Sequence, residues 1–447
     1  FEGDIAWLTP ADLTDYKKKY ISKGRRNLTE AGLNNSSAKL LPKGSVLFSS
    51  RAPIGYVAIS EKPLATNQGF RSLIPNDKLN SEYLYYFLKS AKNEAEKLAS
   101  GTTFKEISGK NLGKLKIPVP PPPTQNRIVE KIEELFSELD NGVENLKKAQ
   151  KQLKTYRQAV LKDAFEGKLT KEWRKHQNNL PTPEELFQQI KTERIAHRQR
   201  ELAEWEKEVE QWEKDGEKGK KPTKPRKSRS VDKLTEDAIS ELHDLPENWV
   251  WGKINDITLR VEYGTSNKSL DEGDIPVLRM GNMQNGKIDW SELKYSNDVK
   301  DNEKYLLHEE DVLFNRTNSP ELVGKSVIYK GERPAIFAGY LIRLNQIREV
   351  MNGYYLNYFL NSVTAKNHGN TVKTDGVNQS NINGTKLVNY PIPLCSKKEQ
   401  DQIVQEIESH LSVIDQLEKT IKENLQKAEA LRQSILKKAF GGELVEG

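Results

Sequence analysis

The sequence predicts a mixed α/β (α+β) fold written twice, with two globular domains and two long coiled-coil helices related by an internal repeat. Three observations carry this reading. The chain has 447 residues, too many for one hydrophobic core. The phrase "RQAVLKDAFEGKLT" (Arg157 to Thr170) returns as "RQSILKKAFGGELV" (Arg432 to Val445), at an offset of 275 residues. Ahead of each phrase, apolar residues recur every seven positions with charges between them, which is the pattern of a coiled coil.

The elements follow in order. Residues 1–122 form the first domain. Its short β-like runs "SVLFSS" and "GYVAIS" are separated by Gly, Pro and Asn turns, and "SEYLYYFLKSAKNEAEKLAS" reads as an amphipathic helix with core tyrosines and phenylalanines. Residues 123–167 form the first rod, which follows the proline run Pro120 to Pro123 and stops at Gly167. Its seam is Ile132, Leu139, Leu146, Leu153 and Val160. Residues 168–244 are a connector. A charged helix starts at Pro183–Glu184, and the lysine- and proline-rich Lys218 to Ser230 reads as a disordered linker, either a nucleic-acid tether or a solvated spacer. Residues 245–395 form the second domain, and residues 396–441 the second rod, with seam Ile407, Ile414, Ile421, Ala428 and Ile435. About 40 residues of helix give a rod of roughly 60 Å.

The two domains match more loosely than the rods. "GDIAWLT" from Gly3 parallels "GDIPVLR" from Gly273, "GSVLFSSRAPIG" parallels "EDVLFNRTNSPELVG", "EYLYYFLKS" parallels "YYLNYFLNS", and "KIPVP" parallels "NYPIP". The stretch Leu245 to Glu272 has no counterpart, so roughly 25 residues are expected to be missing from the start of the first domain, with an opening strand among them.

Composition narrows the function. Charged residues are 30% of the chain, the net charge is +6, and the single cysteine, Cys395, leaves no internal disulfide. No run of 18 apolar residues exists, so no membrane contact is expected, and a cytoplasmic location fits. There is no P-loop, no G-x-S-x-G elbow, and no histidine set at metal-ligand spacing. The chain is expected to carry out no covalent chemistry itself and to hold no metal or cofactor.

The repeated segments resemble a known family. "IPVPPPPTQNRIVEKIEELFSELD", "RQAVLKDAFEGKLTKEWR" and "LRQSILKKAFGGEL" look like the conserved regions of the specificity subunit (HsdS) of type I restriction–modification systems, and "LLPKGSVLFSSRAPIGYVAI" resembles the first variable region of that family. The likeness covers the chain except for the charged stretch around Ala203 to Ser240. The resemblance implies two target-recognition domains, each reading one half of a split, non-palindromic site in double-stranded DNA. It implies that the two rods pack antiparallel as a pseudo-twofold pair, set the half-site separation and dock two methyltransferase (HsdM) subunits, with two restriction (HsdR) subunits completing the complex. S-adenosylmethionine, ATP and Mg belong to those partners. The alternative is a coiled-coil scaffold that binds DNA without base-specific readout, dependent on salt but not on sequence.

Readout should use Lys and Arg on phosphates and Arg, Asn, Gln, Ser and Thr on base edges, from loops of the two domains. In the first domain the candidates are Lys17, Lys18, Lys19, Lys23, Arg25 and Arg26, then Ser49, Ser50 and Arg51, then Thr102, Thr103 and Lys105. In the second they are Arg279, Asn282 and Gln284, then Asn315, Arg316, Thr317 and Asn318, then Lys373, Asn378 and Gln379. "SSR" and "NRTN" stand at equivalent places after the "VLF" strand, and a salt bridge inside the domain is the main rival role for Arg51 and Arg316.

Overall fold

The computed structural model describes residues 3–101, 105–225, 231, 234–284, 286–377 and 379–445. The chain forms two compact units, one of Phe1–Gln150 with Glu418–Gly447 and the other of Lys151–Leu417. Each rod is one unbroken helix, Pro122–Phe165 and Lys397–Gly441, and each contributes residues to both units.

In the first unit, the strand Val46–Ser49 lies between Val57–Ser60 and Phe70–Leu73, antiparallel to both. Side chains alternate across a strand, and here both faces are buried. Val46 and Phe48 face the helix Ser81–Ser90 and the rods, while Leu47 faces a second core with Leu8, Leu64 and Phe70. That second core belongs to a sheet in which Ile5–Leu8 pairs antiparallel with Arg26–Leu28 and parallel with Leu64–Thr66.

The second unit repeats this plan. Val312–Asn315 is buried along its length, with Val312 and Phe314 in the helix-side core and Leu313 in the other. Ile275–Leu278 pairs antiparallel with Lys294–Ser296 and parallel with Ile336–Phe337. The loosely matched "GDIAWL" and "GDIPVL" phrases therefore occupy the same topological position. The stretch Leu245 to Glu272 supplies two strands. Val250–Lys253 pairs with Pro391–Leu394, and Thr258–Tyr263 pairs with Leu341–Gln346. The corresponding segments of the first unit, Lys116–Pro120 and Phe70–Leu73, show no such partner strand among the described residues.

The rod starts are locked by matched hydrogen bonds. In the first unit, the Gln125 carboxamide oxygen accepts from the Asn80 N–H at 2.8 Å, and its nitrogen donates to the Lys78 and Pro120 carbonyls at 2.8 Å. In the second, Gln400 accepts from the Asn352 N–H at 2.8 Å and donates to the Val350 and Cys395 carbonyls at 2.9 Å. Asn80 and Asn352 also cap their own helices. The Tyr83 and Tyr355 hydroxyls donate to the Pro118 and Pro393 carbonyls, both at 2.9 Å. These buried polar groups have little tolerance for a missing partner, so the rods leave their domains in a fixed direction.

The rod ends dock differently. Phe165, at the end of the first rod, lies edge-on to Tyr355 and Phe359 of the second unit, with ring centroids 5.1 and 5.2 Å away. Phe440, at the end of the second rod, lies edge-on to Tyr83 and Phe87 of the first unit at 5.1 and 5.4 Å. The closing phrase of each rod thus packs on the domain of the other repeat. A matched ion pair accompanies each docking, with Arg157 donating to Asp415 at 2.6 Å and Arg432 donating to Asp140. In the second unit the two rod segments run antiparallel, for Thr170 meets Glu399 whereas Tyr156 meets His410. Both rods stop at a left-handed glycine, Gly167 (φ +72°) and Gly442 (φ +79°).

The seam residues Ile132, Val160, Ile407, Ile414, Ile421 and Ile435 are buried, while Leu139, Leu146, Leu153 and Ala428 are half-buried. The burial is greatest where a domain covers the rods.

The connector helix runs Pro183–Lys214 from a capping box at Thr182 and Glu185. Leu186, Phe187 and Ile190 bury its first turns, and the Arg194 guanidinium donates to the carbonyls of Asn255, Asp256 and Thr258 at 2.7, 3.2 and 2.8 Å. The expectation of a disordered linker is corrected for its described part. Lys221 sits 5.2 Å above the Trp212 ring and Lys224 sits 5.1 Å above Trp205. The two indole N–H groups donate to the Gly219 and Pro222 carbonyls. Cation–π attraction and these hydrogen bonds fold the basic return segment onto its own helix. Arg226 to Ser230 lie outside the described residues.

The reciprocal docking makes a directional prediction. Phe165→Ala removes a buried ring at a cost of about 3–5 kcal/mol. It should raise amide hydrogen exchange in the Gly353–Leu360 helix and leave Ser81–Ser90 protected, and Phe440→Ala should do the converse. Exchange rising in the helix of the same repeat would contradict the docking.

Candidate nucleic-acid interface

The candidate residues separate into those the fold presents and those it consumes. In the first domain, Lys17, Lys18, Lys23 and Lys105 are exposed. Arg25 is three-quarters exposed, its backbone N–H held by Asp12 at 2.9 Å and its guanidinium 3.9 Å from the same carboxylate. Arg26 is exposed in the strand opposite Trp7. Arg51 and Arg71 share one carboxylate, with Glu106 at 3.8 Å from the first and 2.9 Å from the second. Arg51 keeps 39% of its side chain exposed, so the internal ion pair holds it without covering it. Arg71 was not singled out from sequence. Its alternation out of the Phe70–Leu73 strand is a period-2 signal too short to separate from noise.

In the second domain a small antiparallel sheet gathers several candidates. Ser380–Asn381 lies between Thr317–Asn318 and Thr374–Asp375, which brings Arg316, Thr317, Asn318, Lys373 and Gln379 to one patch. Arg316 donates to the Gly339 carbonyl at 3.0 Å and stacks 4.9 Å from the Tyr263 ring, so its rival role is a stacked anchor rather than a salt bridge. Thr317 accepts from Asn381 at 2.7 Å. Lys373 reaches the Pro320 carbonyl at 3.3 Å and the Asn370 side-chain oxygen at 3.2 Å. Arg279 and Gln284 lie apart on the turn that begins the Met283–Gln284 strand. Arg279 donates to the Glu292 carbonyl at 3.1 Å, and exposed Gln284 to the Gly281 carbonyl at 3.0 Å.

Five candidates are corrected. Ser49 and Ser50 are fully buried. The Ser49 hydroxyl donates to the Pro53 carbonyl at 2.7 Å and accepts from the Tyr56 N–H at 2.8 Å, tying the loop back onto the strand. Asn315 is likewise fully buried, accepting from the Thr317 N–H at 3.3 Å. Asn282 is 4% exposed and closes its turn through the Arg279 N–H at 3.0 Å and the Asp289 carbonyl at 3.0 Å. For Ser49 and Asn315 the reason is the same. Small polar residues at the ends of two-sided strands satisfy backbone groups that the turn would strand. Lys19 is also consumed, for its ammonium contacts both Glu82 and Glu133 at the foot of the first rod. Thr102, Thr103 and Asn378 lie outside the described residues.

The arrangement is therefore two similar α+β domains, each bound to a rod start and a rod end, each with an arginine just after a doubly buried strand, Arg51 in one and Arg316 in the other. That is a duplicated α+β architecture built on two long helices. The family model described as "Type I restriction modification DNA specificity domain" matches residues 1–152 and 246–427, and the chain belongs to this family. Among curated relatives, the type I restriction enzyme MjaIX specificity subunit of Methanocaldococcus jannaschii is 45% identical over 166 residues, covering 36% of this chain and 37% of the relative. The putative MjaX specificity subunit of the same organism is 32% identical over 205 residues, with 45% and 47% covered, so the chain matches less than half the length of either relative. The EcoKI specificity subunit of Escherichia coli is 25% identical over 462 residues, covering 99% of this chain and 85% of the relative. Two solved structures share the fold. One, from work on complex assembly and conformational transition of the type I R-M system, has a TM-score of 0.63 at 18% identity, covering 92% of this chain and 86% of that one. The HsdS subunit from Thermoanaerobacter tengcongensis has a TM-score of 0.52 at 17% identity, covering 91% and 82%.

The Lys19 cluster yields a pH prediction. Burial pushes the Glu82 carboxyl up, but hydrogen bonds from Lys19 and Tyr20 outweigh it and hold the group below its ordinary value of 4.5. The folded chain then binds fewer protons than the unfolded one near that pH, so stability from the pair is full above 4.5 and drains away as pH falls through the depressed value. Glu82→Gln should cost about 1 kcal/mol, read as a lower Tm near neutral pH, and have no effect once the pH lies below that depressed value. An equal loss at both pH values would contradict the ion-pair role.

Proposed function

We propose that this chain is the non-catalytic sequence-specificity subunit of a type I restriction–modification complex. Each domain reads one half of a split, non-palindromic DNA site. The rods set the separation and dock two HsdM methyltransferase subunits, and two HsdR subunits complete an ATP-dependent nuclease. S-adenosylmethionine, ATP and Mg are carried by those partners, in keeping with the lack of a nucleotide or metal motif in this sequence. The observation that supports the reading best is the reciprocal docking of duplicated rods on duplicated domains, because two like readers, each built on a rod start and a rod end, suit two half-sites. The family match points the same way. Nothing in it favours the scaffold alternative.

Divergence between the domains explains why the site should be non-palindromic. After equivalent strands, one presents Arg51 beside Arg71 and the other Arg316 beside Thr317 and Asn318. Different donor sets read different base edges.

Selection from random duplexes, with the chain bound to its HsdM partner, should return a two-part motif with a constant spacer. Arg316→Ala should cost about 1–3 kcal/mol of affinity and relax only one half of the motif. Inserting one heptad at the middle of both rods lengthens them by roughly 10 Å and should widen the spacer by about three base pairs. Sequence-independent binding would favour the scaffold, and an unchanged spacer would remove the ruler.

A further inference from the structure

The second unit holds a cavity of about 830 Å³, within the size range of small-molecule sites. It opens beside the end of the first rod, under the helices Gly353–Leu360 and Val363–Val372. Its apolar wall includes Leu161, Val323, Ile328, Ile382 and Leu411, with Tyr354 and Tyr358 one helical turn apart beside them.

Two observations mark it as built for a ligand. First, it contains orphaned polar atoms. The Tyr390 hydroxyl belongs to a residue 1% exposed and has no hydrogen-bond partner among the described residues, and the Gln158 carboxamide oxygen is buried and equally without one there. Both residues line the cavity. Gly369 lines it too, and a Cβ there would come within 2.8 Å of the Tyr390 hydroxyl. Unpaired buried polar groups are costly, so native proteins keep few without a use. Second, its charge is unbalanced. Six basic residues line it against three acidic ones. Of the acids, Asp415 is already bound by Arg157 and Lys287, and Glu408 is contacted by the Tyr358 hydroxyl at 3.5 Å. Lys325 and Lys366 have no acidic partner among the described residues. Partial burial and the Lys325 charge together hold the Lys366 ammonium below its ordinary pKa, as expected of two like charges facing one space.

A phosphate carries nearly two negative charges at neutral pH and would relieve that repulsion. The Gln158 oxygen needs a donor, such as an amino or sugar hydroxyl group, and the tyrosine wall suits a planar ring. We propose that this cavity binds a small phosphorylated nucleoside, its phosphate between Lys325 and Lys366 and its ring against Tyr354 and Tyr358. The inference does not depend on the DNA-reading role.

Calorimetric titration of the full chain tests it, with adenosine 5′-monophosphate, adenosine and inorganic phosphate as probes. The monophosphate should bind at least about tenfold tighter than either of the others, and Lys325→Ala with Lys366→Ala should remove about tenfold of that affinity. Tyr390→Phe should weaken the monophosphate severalfold yet raise the Tm of the unliganded chain, because it deletes an unpaired hydroxyl. No heat with the monophosphate, or equal binding by phosphate alone, would overturn the proposal. So would a Tyr390→Phe chain that melts lower, which would mean the hydroxyl is already satisfied. If the double variant instead loses affinity only for duplex DNA, the two lysines belong to a DNA backbone contact and the nucleoside site is wrong.

Discussion

The structure depends on one contact made twice. Phe165 inserts against Tyr355 and Phe359, and Phe440 against Tyr83 and Phe87. Each rod is anchored at its start by a glutamine clamp in its own repeat and at its end by an aromatic contact in the other. A rod held at only one end would be a long amphipathic helix with an apolar stripe facing water. Held at both ends it has a defined direction, and its seam is covered. The matched pairs Arg157–Asp415 and Arg432–Asp140 add register to this contact rather than much stability, because both carboxylates are substantially exposed.

The same constraint explains why the closing phrase is the best preserved part of the repeat. A phrase that only ended a helix would need a glycine and little else. This one must also present a phenylalanine to a foreign pair of aromatic rings, with a cation about two turns earlier on the face that meets an acid. Two copies of the target, "YLYYF" and "YYLNYF", carry matching rings, so two copies of the phrase are retained. The domains need only keep their helix-side core, and their outer loops are free to differ.

That freedom sets the limits of sequence reading at the candidate interface. Periodicity and spacing identified the rods, the central "VLF" strands and the capped helices, because those features are local and repeat along the chain. They did not separate Ser50 from Arg51, or Asn315 from Arg316. Adjacent residues at a strand end point to opposite sides, and which side is interior depends on a partner sheet distant in sequence. Lys19 shows the same limit. Nothing beside it in "YKKKY" marks it off from Lys17 and Lys18, yet Glu82 and Glu133 claim it alone. The basic linker read as disordered because its own composition cannot bury surface. The indole rings that hold it, Trp205 and Trp212, lie on the preceding helix.

By itself, the sequence determined the duplication, the heptad rods, the short core strands and the family to which the chain belongs. These rest on patterns whose physical cause is the period of a helix or a strand. Only the tertiary structure decided which repeat receives which rod end, which polar residues are interior, and where lysines, the Tyr390 hydroxyl and the Gln158 carboxamide oxygen converge on a cavity. Those outcomes depend on burial between segments hundreds of residues apart, and burial is a property of the packed chain.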